Sequence, residues 1–469
     1  MIALDMTSKH SKPYTGILAF IVFPAMMILG MALAFWGGYR TQKSIKAGKA
    51  EIPLLPKIDM NDPHQRRSVV WFSFGLILFL VVSAFGSYEA YEFSDSDTFC
   101  GEVCHQVMEP EYTAYQSSPH ARVGCAQCHI GSGADWFVKA KISGAYQVYS
   151  VLFHKYSRPI ATPIENLRPA QQTCEQCHWP SHFFSELRKS NTYFLNDETN
   201  TRLSLDLLVK VGGGNPETGQ SGGIHWSMNI ANDIQYIAAD RRRQIITWVQ
   251  VTDRSTGKSR IYRSPEASSE ISEAVRHEIR HMDCIDCHNR PSHQFHPPAQ
   301  SVNSFMALGR ISPLLPEAKA LAVKVLDTPY FSAGSGLDSI RIQIEEFYRL
   351  RMPAMNGSTK QDVERMVEEV QKIYRRNYFP YMRAGWKSYP NNIGHMYSDG
   401  CFRCHDGKHI SDDGKVLTKD CNICHTIVAQ QLPGMKPMVS LSGMVYEHPV
   451  EIGSALLTMN CADCHNKRK

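Results

Sequence analysis

A chain of 469 residues exceeds what one small core organises, so more than one soluble domain is expected. Its 50 basic and 45 acidic residues leave a net charge of +5, too balanced to argue for a nucleic-acid partner. No zinc-finger, helix-turn-helix or RNA-binding pattern accompanies that charge.

From the N-terminus, two apolar stretches at about residues 16–36 and 69–86 are each long enough to cross a bilayer, which takes ~20 helical residues. Trp36 and Tyr39 end the first, and Trp71 and Tyr88 bracket the second, as interfacial aromatics do. The segment between them, about 38–68, holds Arg40, Lys43, Lys46, Lys49, Lys57, Arg66 and Arg67, which marks a cytoplasmic loop. Residues 1–92 therefore read as a membrane anchor. Residues 93–190 carry three cysteine motifs and few long apolar runs. Residues 191–270 change character: 203–211 and 245–251 read as strands around a Gly-rich loop, a small β insertion without a phosphate-loop pattern. A fourth motif lies in 271–300. Residues 301–389 contain no cysteine, and amphipathic runs near 317–326, 337–350 and 360–374 predict a helical linker domain. Three more motifs crowd 390–469.

All 14 cysteines fall into seven pairs, and histidine follows every second member. The pairs are Cys100/Cys104-His105, Cys125/Cys128-His129, Cys174/Cys177-His178, Cys284/Cys287-His288, Cys401/Cys404-His405, Cys421/Cys424-His425 and Cys461/Cys464-His465. C-x-x-C-H is the c-type haem attachment pattern: two thiols add to the haem vinyl groups and the adjacent imidazole sits under the iron. Zinc knuckles or redox dithiols have no reason to place histidine after every second cysteine. The first motif is wider, with Gly101, Glu102 and Val103 between its cysteines. The expected fold is a multihaem cytochrome c, mostly helix and coil, in which seven haems supply the apolar core. A cleaved signal peptide is the alternative for the first apolar stretch, with Lys9 and Lys12 in its favour. Parity opposes it, because one remaining helix would deliver the haem domain to the cytoplasm.

Each iron needs a second axial ligand. Outside the motifs and the anchor the histidines are His120, His154, His182, His225, His277, His281, His293, His296, His395, His409 and His448. The six expected distal ligands are His120, His225, His293, His395, His409 and His448. Met108, three residues after His105, is the candidate for the first haem.

On these residues the chain resembles the NapC/NirT family of membrane-anchored quinol-oxidising cytochromes. The resemblance covers about residues 65–297: a haem motif soon after a membrane helix, Ser118-Pro119-His120 before the Cys125 motif, and His293 five residues after His288. The seven-motif total, the extra helix and the C-terminal cluster resemble the ImcH-type inner-membrane cytochromes of metal-reducing bacteria. The resemblance implies menaquinol oxidation beside the first haem, with Lys139, Lys141, Gln147 and Asp135 as the quinol-site candidates. It further implies an inner-membrane location with the haem domain facing the periplasm. Electrons would then pass to soluble periplasmic c-type cytochromes. A homo-oligomer, or a wire subunit within a larger membrane complex, stays open. A terminal nitrite or sulfite reductase would need an open haem, whereas the histidine supply nearly closes all seven.

Overall fold

The computed structural model describes residues 23–47, 58–103, 105–131, 134–164, 168–179, 183, 185–212, 223–226, 232–267 and 279–466. Contacts divide the chain into two units, Met1–Val103 and Cys104–Lys469.

The first unit holds α1 (Phe23–Lys46) and α2 (Pro63–Asp95). Among the described residues α2 alone is long and apolar enough to cross a membrane. It outruns the predicted 69–86 at both ends. Asp62 caps its start by accepting a hydrogen bond from the His64 amide, and Pro63 fits the first helical position, where no amide partner is needed. Val70, Phe72, Ile77 and Val82 are exposed, as a lipid-facing surface requires. Residues 16–22 of the first predicted span lie outside the described residues. α1 covers the rest of that span and continues past Trp36 to place Lys43 and Lys46 in its last turn, where cations oppose the helix dipole favourably.

The second unit begins with α3 (His105–Gln116), α4 (Cys125–His129), α5 (Ala134–Leu152) and α6 (Ala170–Cys174). Strands follow: β1 (Glu186–Phe194), β2 (Arg202–Lys210), β3 (Asn232–Ala238), β4 (Ile246–Asp253), β5 (Ser259–Arg263) and β6 (Arg280–His281). After the short α7 (Cys284–Cys287) come α8 (Pro298–Ala307), α9 (Ala318–Asp327), α10 (Ala333–Arg351) and α11 (Gly357–Asn377). The hairpin strands β7 (Tyr378–Phe379) and β8 (Ala384–Gly385) precede β9 (Ile410–Ser411), β10 (His425–Gln431) and β11 (Met438–Val439). The chain closes on α12 (Ala455–Thr458) and α13 (Cys461–His465).

The β region departs from a self-contained insertion. Its strands divide between two sheets, ordered β1-β2-β10-β11 and β6-β3-β4-β5-β9. Each sheet is completed from the C-terminal motif cluster: Ile427 pairs with Leu207, and Ser411 with Tyr262. An edge strand left alone exposes a row of unpaired backbone groups, and the later segment removes that liability. Most of the Gly-rich loop lies outside the described residues.

The helices at 318–327, 333–351 and 357–377 lie over the three amphipathic runs and bury one face each. Ile340, Ile344 and Tyr348 of α10 meet Val363, Met366, Val370 and Ile373 of α11. Gly336 permits this approach, since a Cβ there would meet the Tyr374 ring. Ser332 and Asn356 cap α10 and α11, accepting from the amides of Ser335 and Thr359.

Candidate haem sites

Among the described residues, the second, fourth and seventh motifs lie on short α-helices, and the fifth and sixth begin on short 3-10 turns. At α7, Asp283 accepts from the Ile285 amide while the Asp286 carboxylate accepts from the Asp283 amide, so the turn is closed at both points. Asn460 and Asp463 repeat that box at α13.

Five motif histidines face a second histidine across a constant gap. The ring centroids are 6.2 Å apart for His129 and His293, 6.1 Å for His178 and His120, and 6.3 Å for His288 and His225. They are 6.2 Å apart for His425 and His395 and 6.3 Å for His465 and His448. Three distal rings are oriented by the backbone: Nδ1 of His293, His225 and His448 pairs with the carbonyls of Glu111 (2.9 Å), Val211 (2.7 Å) and Val450 (2.8 Å). Donation from Nδ1 leaves Nε2 as the free lone pair. Burial, assisted by His293, pushes His129 down to about 4. Burial likewise lowers His288, His293, His395, His425 and His465, which disfavours their protonated forms.

His409 differs from the expectation. It is 1 % exposed, its Nδ1 meets Asp406 Oδ1 at 2.9 Å and its Nε2 meets the Ile246 carbonyl at 3.0 Å. Both ring nitrogens are spent tying the β9 loop to β4, so it is not placed to ligate iron. His405, the histidine of that fifth motif, holds the Thr418 carbonyl through Nδ1 at 3.3 Å. Among the described residues no second histidine ring faces it. His182, His277, Cys104 and the side chain of His105 lie outside the described set. Met108 is half-buried on α3.

The thiols of successive motifs adjoin one another. Burial raises Cys128, with Cys174 and Cys177 of the third motif adding to it. Cys174 of the third motif and Cys284 of the fourth adjoin closely enough to influence each other. Burial pushes Cys404 up to about 12, with Cys287 of the fourth motif among the contributors. Burial raises Cys424 to about 11, with Cys401 contributing. Burial also raises Cys461, with Cys421 of the sixth motif and its own partner Cys464 adding to the effect. From the second motif to the seventh, neighbours in sequence are thus neighbours in space.

Lys139, Lys141, Gln147 and Asp135 all lie on α5. Lys139 is exposed, with its Nζ 4.7 Å from the Trp136 ring centre, and Gln147 Nε2 donates to Ser143 Oγ at 3.5 Å. Lys141 is half-buried, and the Asp135 side chain is outside the described set. The same helix exposes Val138, Ile142 and Tyr146 along one face. The sequence reading missed Glu111 and Arg290. Arg290 donates to Glu111 Oε2 at 2.6 Å and lies over the Tyr389 ring at 4.1 Å, fixing the segment that carries His293.

The family model described as the NapC/NirT cytochrome c family, N-terminal region, matches residues 62–162. The cytochrome c-type protein ImcH of Geobacter sulfurreducens is 42% identical over 465 residues, which is 99% of this chain and 90% of that protein. The chain belongs to the ImcH-like c-type cytochromes. A shorter likeness, 29% over 109 residues, links it to the cytochrome c-type protein NrfH of Wolinella succinogenes, covering 22% of this chain and 60% of that protein. No solved structure matches.

An ImcH-like cytochrome carries covalently attached haem, and the site geometry accommodates it. Two metal–imidazole bonds of about 2.0 Å, plus ~1.1 Å from each nitrogen to its ring centre, separate trans imidazoles by about 6 Å. All five histidine pairs have that separation, and each motif histidine directly follows its second cysteine in the chain. An apolar helix at the N-terminal end agrees with the membrane anchoring of the NapC/NirT family.

Proposed function

We propose that this ImcH-like cytochrome is a quinol-oxidising relay. In this reading it carries seven haems on its seven motifs and sits in the inner membrane with two crossing helices. The observation that carries the reading is the succession from the second motif to the seventh, whose thiols adjoin in chain order while five histidine pairs stand one iron apart. Haem, when bound, supplies one-electron redox chemistry at each position. The protein's part is to hold spacing and to fill axial positions. His120, His225, His293, His395 and His448 close the third, fourth, second, sixth and seventh sites, and Met108 is assigned to the first.

Quinol oxidation releases two electrons and two protons. Lys139 and Lys141 on α5 are suited to orient a quinol oxygen, and Gln147 and Asp135 to complete the pocket. The apolar face beside them accepts the quinol ring and its isoprenoid tail, menaquinol being the expected donor. The N-terminus would lie outside, the loop at 38–68 in the cytoplasm, and the protons would leave on the periplasmic side. Soluble periplasmic c-type cytochromes are the proposed acceptors at the C-terminal motifs.

The test is stopped-flow reduction of the detergent-solubilised protein by a reduced menaquinol analogue. Fast reduction of the haem bands, slowed at least tenfold in Lys139→Ala or Lys141→Ala with an unchanged spectrum, is expected. A fully haem-loaded chain that menaquinol leaves oxidised would instead make it an electron wire fed by another membrane subunit.

A further inference from the structure

The fourth and fifth motifs are joined by a partly buried charge cluster, centred on a buried carboxylate, that haem attachment does not require. Asp286 occupies an interior position of the fourth motif and is 4 % exposed. Its Oδ1 accepts from Tyr236 Oη at 2.7 Å, Arg280 Nε at 2.8 Å and Arg243 Nη1 at 3.2 Å. Arg280 also reaches Asp283 at 3.2 Å. Arg403 occupies an interior position of the fifth motif. Its Nη2 donates to the Asp286 carbonyl at 2.7 Å and its Nη1 to the Arg243 carbonyl at 2.6 Å. Asn392, just ahead of the fifth motif, donates Nδ2 to the same Asp286 carbonyl at 2.9 Å.

Two carboxylates and three guanidiniums are thereby packed around the contact of two haem motifs, with an excess of one positive charge. Removing charges from water is costly, and an apolar filling would serve packing as well or better. In a low-dielectric setting such charges act strongly on any nearby redox centre: cations favour the reduced form and anions the oxidised form. The junction is also where the portion resembling NapC/NirT gives way to the C-terminal extension. Electrons crossing between the two halves along the row of motifs must pass it.

We propose that Asp286, Arg243, Arg280 and Arg403 form a potential-setting node between the fourth and fifth haems, with Asp286 holding both potentials down against its arginines. This rests on the seven-haem reading above. These are positioning residues, because none is an iron ligand or a haem attachment point.

The experiment is a spectroelectrochemical titration of the purified full-length holoprotein and three variants, each with its haem count. Asp286→Asn removes the anion and should shift the midpoints of two haems upward. Arg243→Gln removes a cation and should shift the same two downward. Tyr236→Phe deletes a hydrogen bond without changing charge and should move them least. Opposite signs cannot arise from general loosening, which would move both charge variants the same way. If Asp286→Asn fails to mature, Arg243→Gln and Tyr236→Phe carry the test. Full haem loading with unmoved midpoints, or shifts of one sign throughout, would overturn the node. A wild-type count below seven would instead remove the seven-haem reading, whatever the midpoints do.

Discussion

At the scale of single residues, the difference between a motif histidine's partner and an ordinary buried histidine lies in where its nitrogens point. His293 spends Nδ1 on the Glu111 carbonyl and turns the rest of the ring toward His129. His409 spends both nitrogens on protein atoms. From the sequence the two are alike, each a lone histidine a few residues beyond a motif. The arithmetic of supply and demand could nominate them but could not see that Ile246 would claim one. The two should separate under substitution. His293→Ala should convert the second haem from low-spin to high-spin, read by electron paramagnetic resonance, whereas His409→Ala should leave every haem signal in place. His409→Ala should nonetheless cost about 1–3 kcal/mol of stability by stranding buried polar groups. Lys319 gives a second residue-scale prediction. It is 3 % exposed, and burial lowers it to about 7 from the ordinary 10.5. The folded state therefore sheds its proton before the unfolded state does, and stability rises with pH between those two values. Lys319→Met removes the buried amine together with its hydrogen bonds to the Ala299 carbonyl and Asn303 Oδ1, and its stability relative to the wild type should fall as pH rises from 7 to 10. A constant difference across that range would show that Lys319 does not titrate on folding.

At the scale of elements, helices were the legible part. Residues 337–350 and 360–374 show the helical repeat because α10 and α11 each press a single apolar stripe into a protein-made core. Ile344, fully buried there, should cost about 2–5 kcal/mol when cut to alanine, measured by chemical denaturation. The strands were half legible. Alternation marked 203–211 and 245–251, yet nothing local shows that their sheets are finished more than 150 residues later. Partner choice in a sheet is a long-range property, and the β10 stretch beginning at His425 reads first as the tail of a motif. Sheet completion makes β10 more than a connector. Ile427, paired with Leu207 and 5 % exposed, should on replacement by aspartate open the edge of β2 and drive self-association on size-exclusion chromatography. A monodisperse, fully folded Ile427→Asp protein would contradict that pairing.

At the scale of the whole molecule, the motifs fixed what kind of protein this is, because covalent attachment writes its ligands into a five-residue pattern that needs no tertiary context. Which motif neighbours which, and which histidine faces which motif histidine, required the folded chain: His120 lies upstream of the motif it faces, and His293 lies 164 residues downstream of His129. The apolar helix α2 was legible for the opposite reason, since a long uninterrupted apolar run shows in the sequence without any tertiary context. The central claim is that all seven motifs are loaded. Intact-mass measurement of the denatured full-length protein, paired with thiol alkylation, tests it most directly, since thioether bonds survive denaturation. The expected result is a mass with seven haems added and no alkylated cysteine. A smaller haem count, with pairs of cysteines open to alkylation, would contradict it and name the empty motifs.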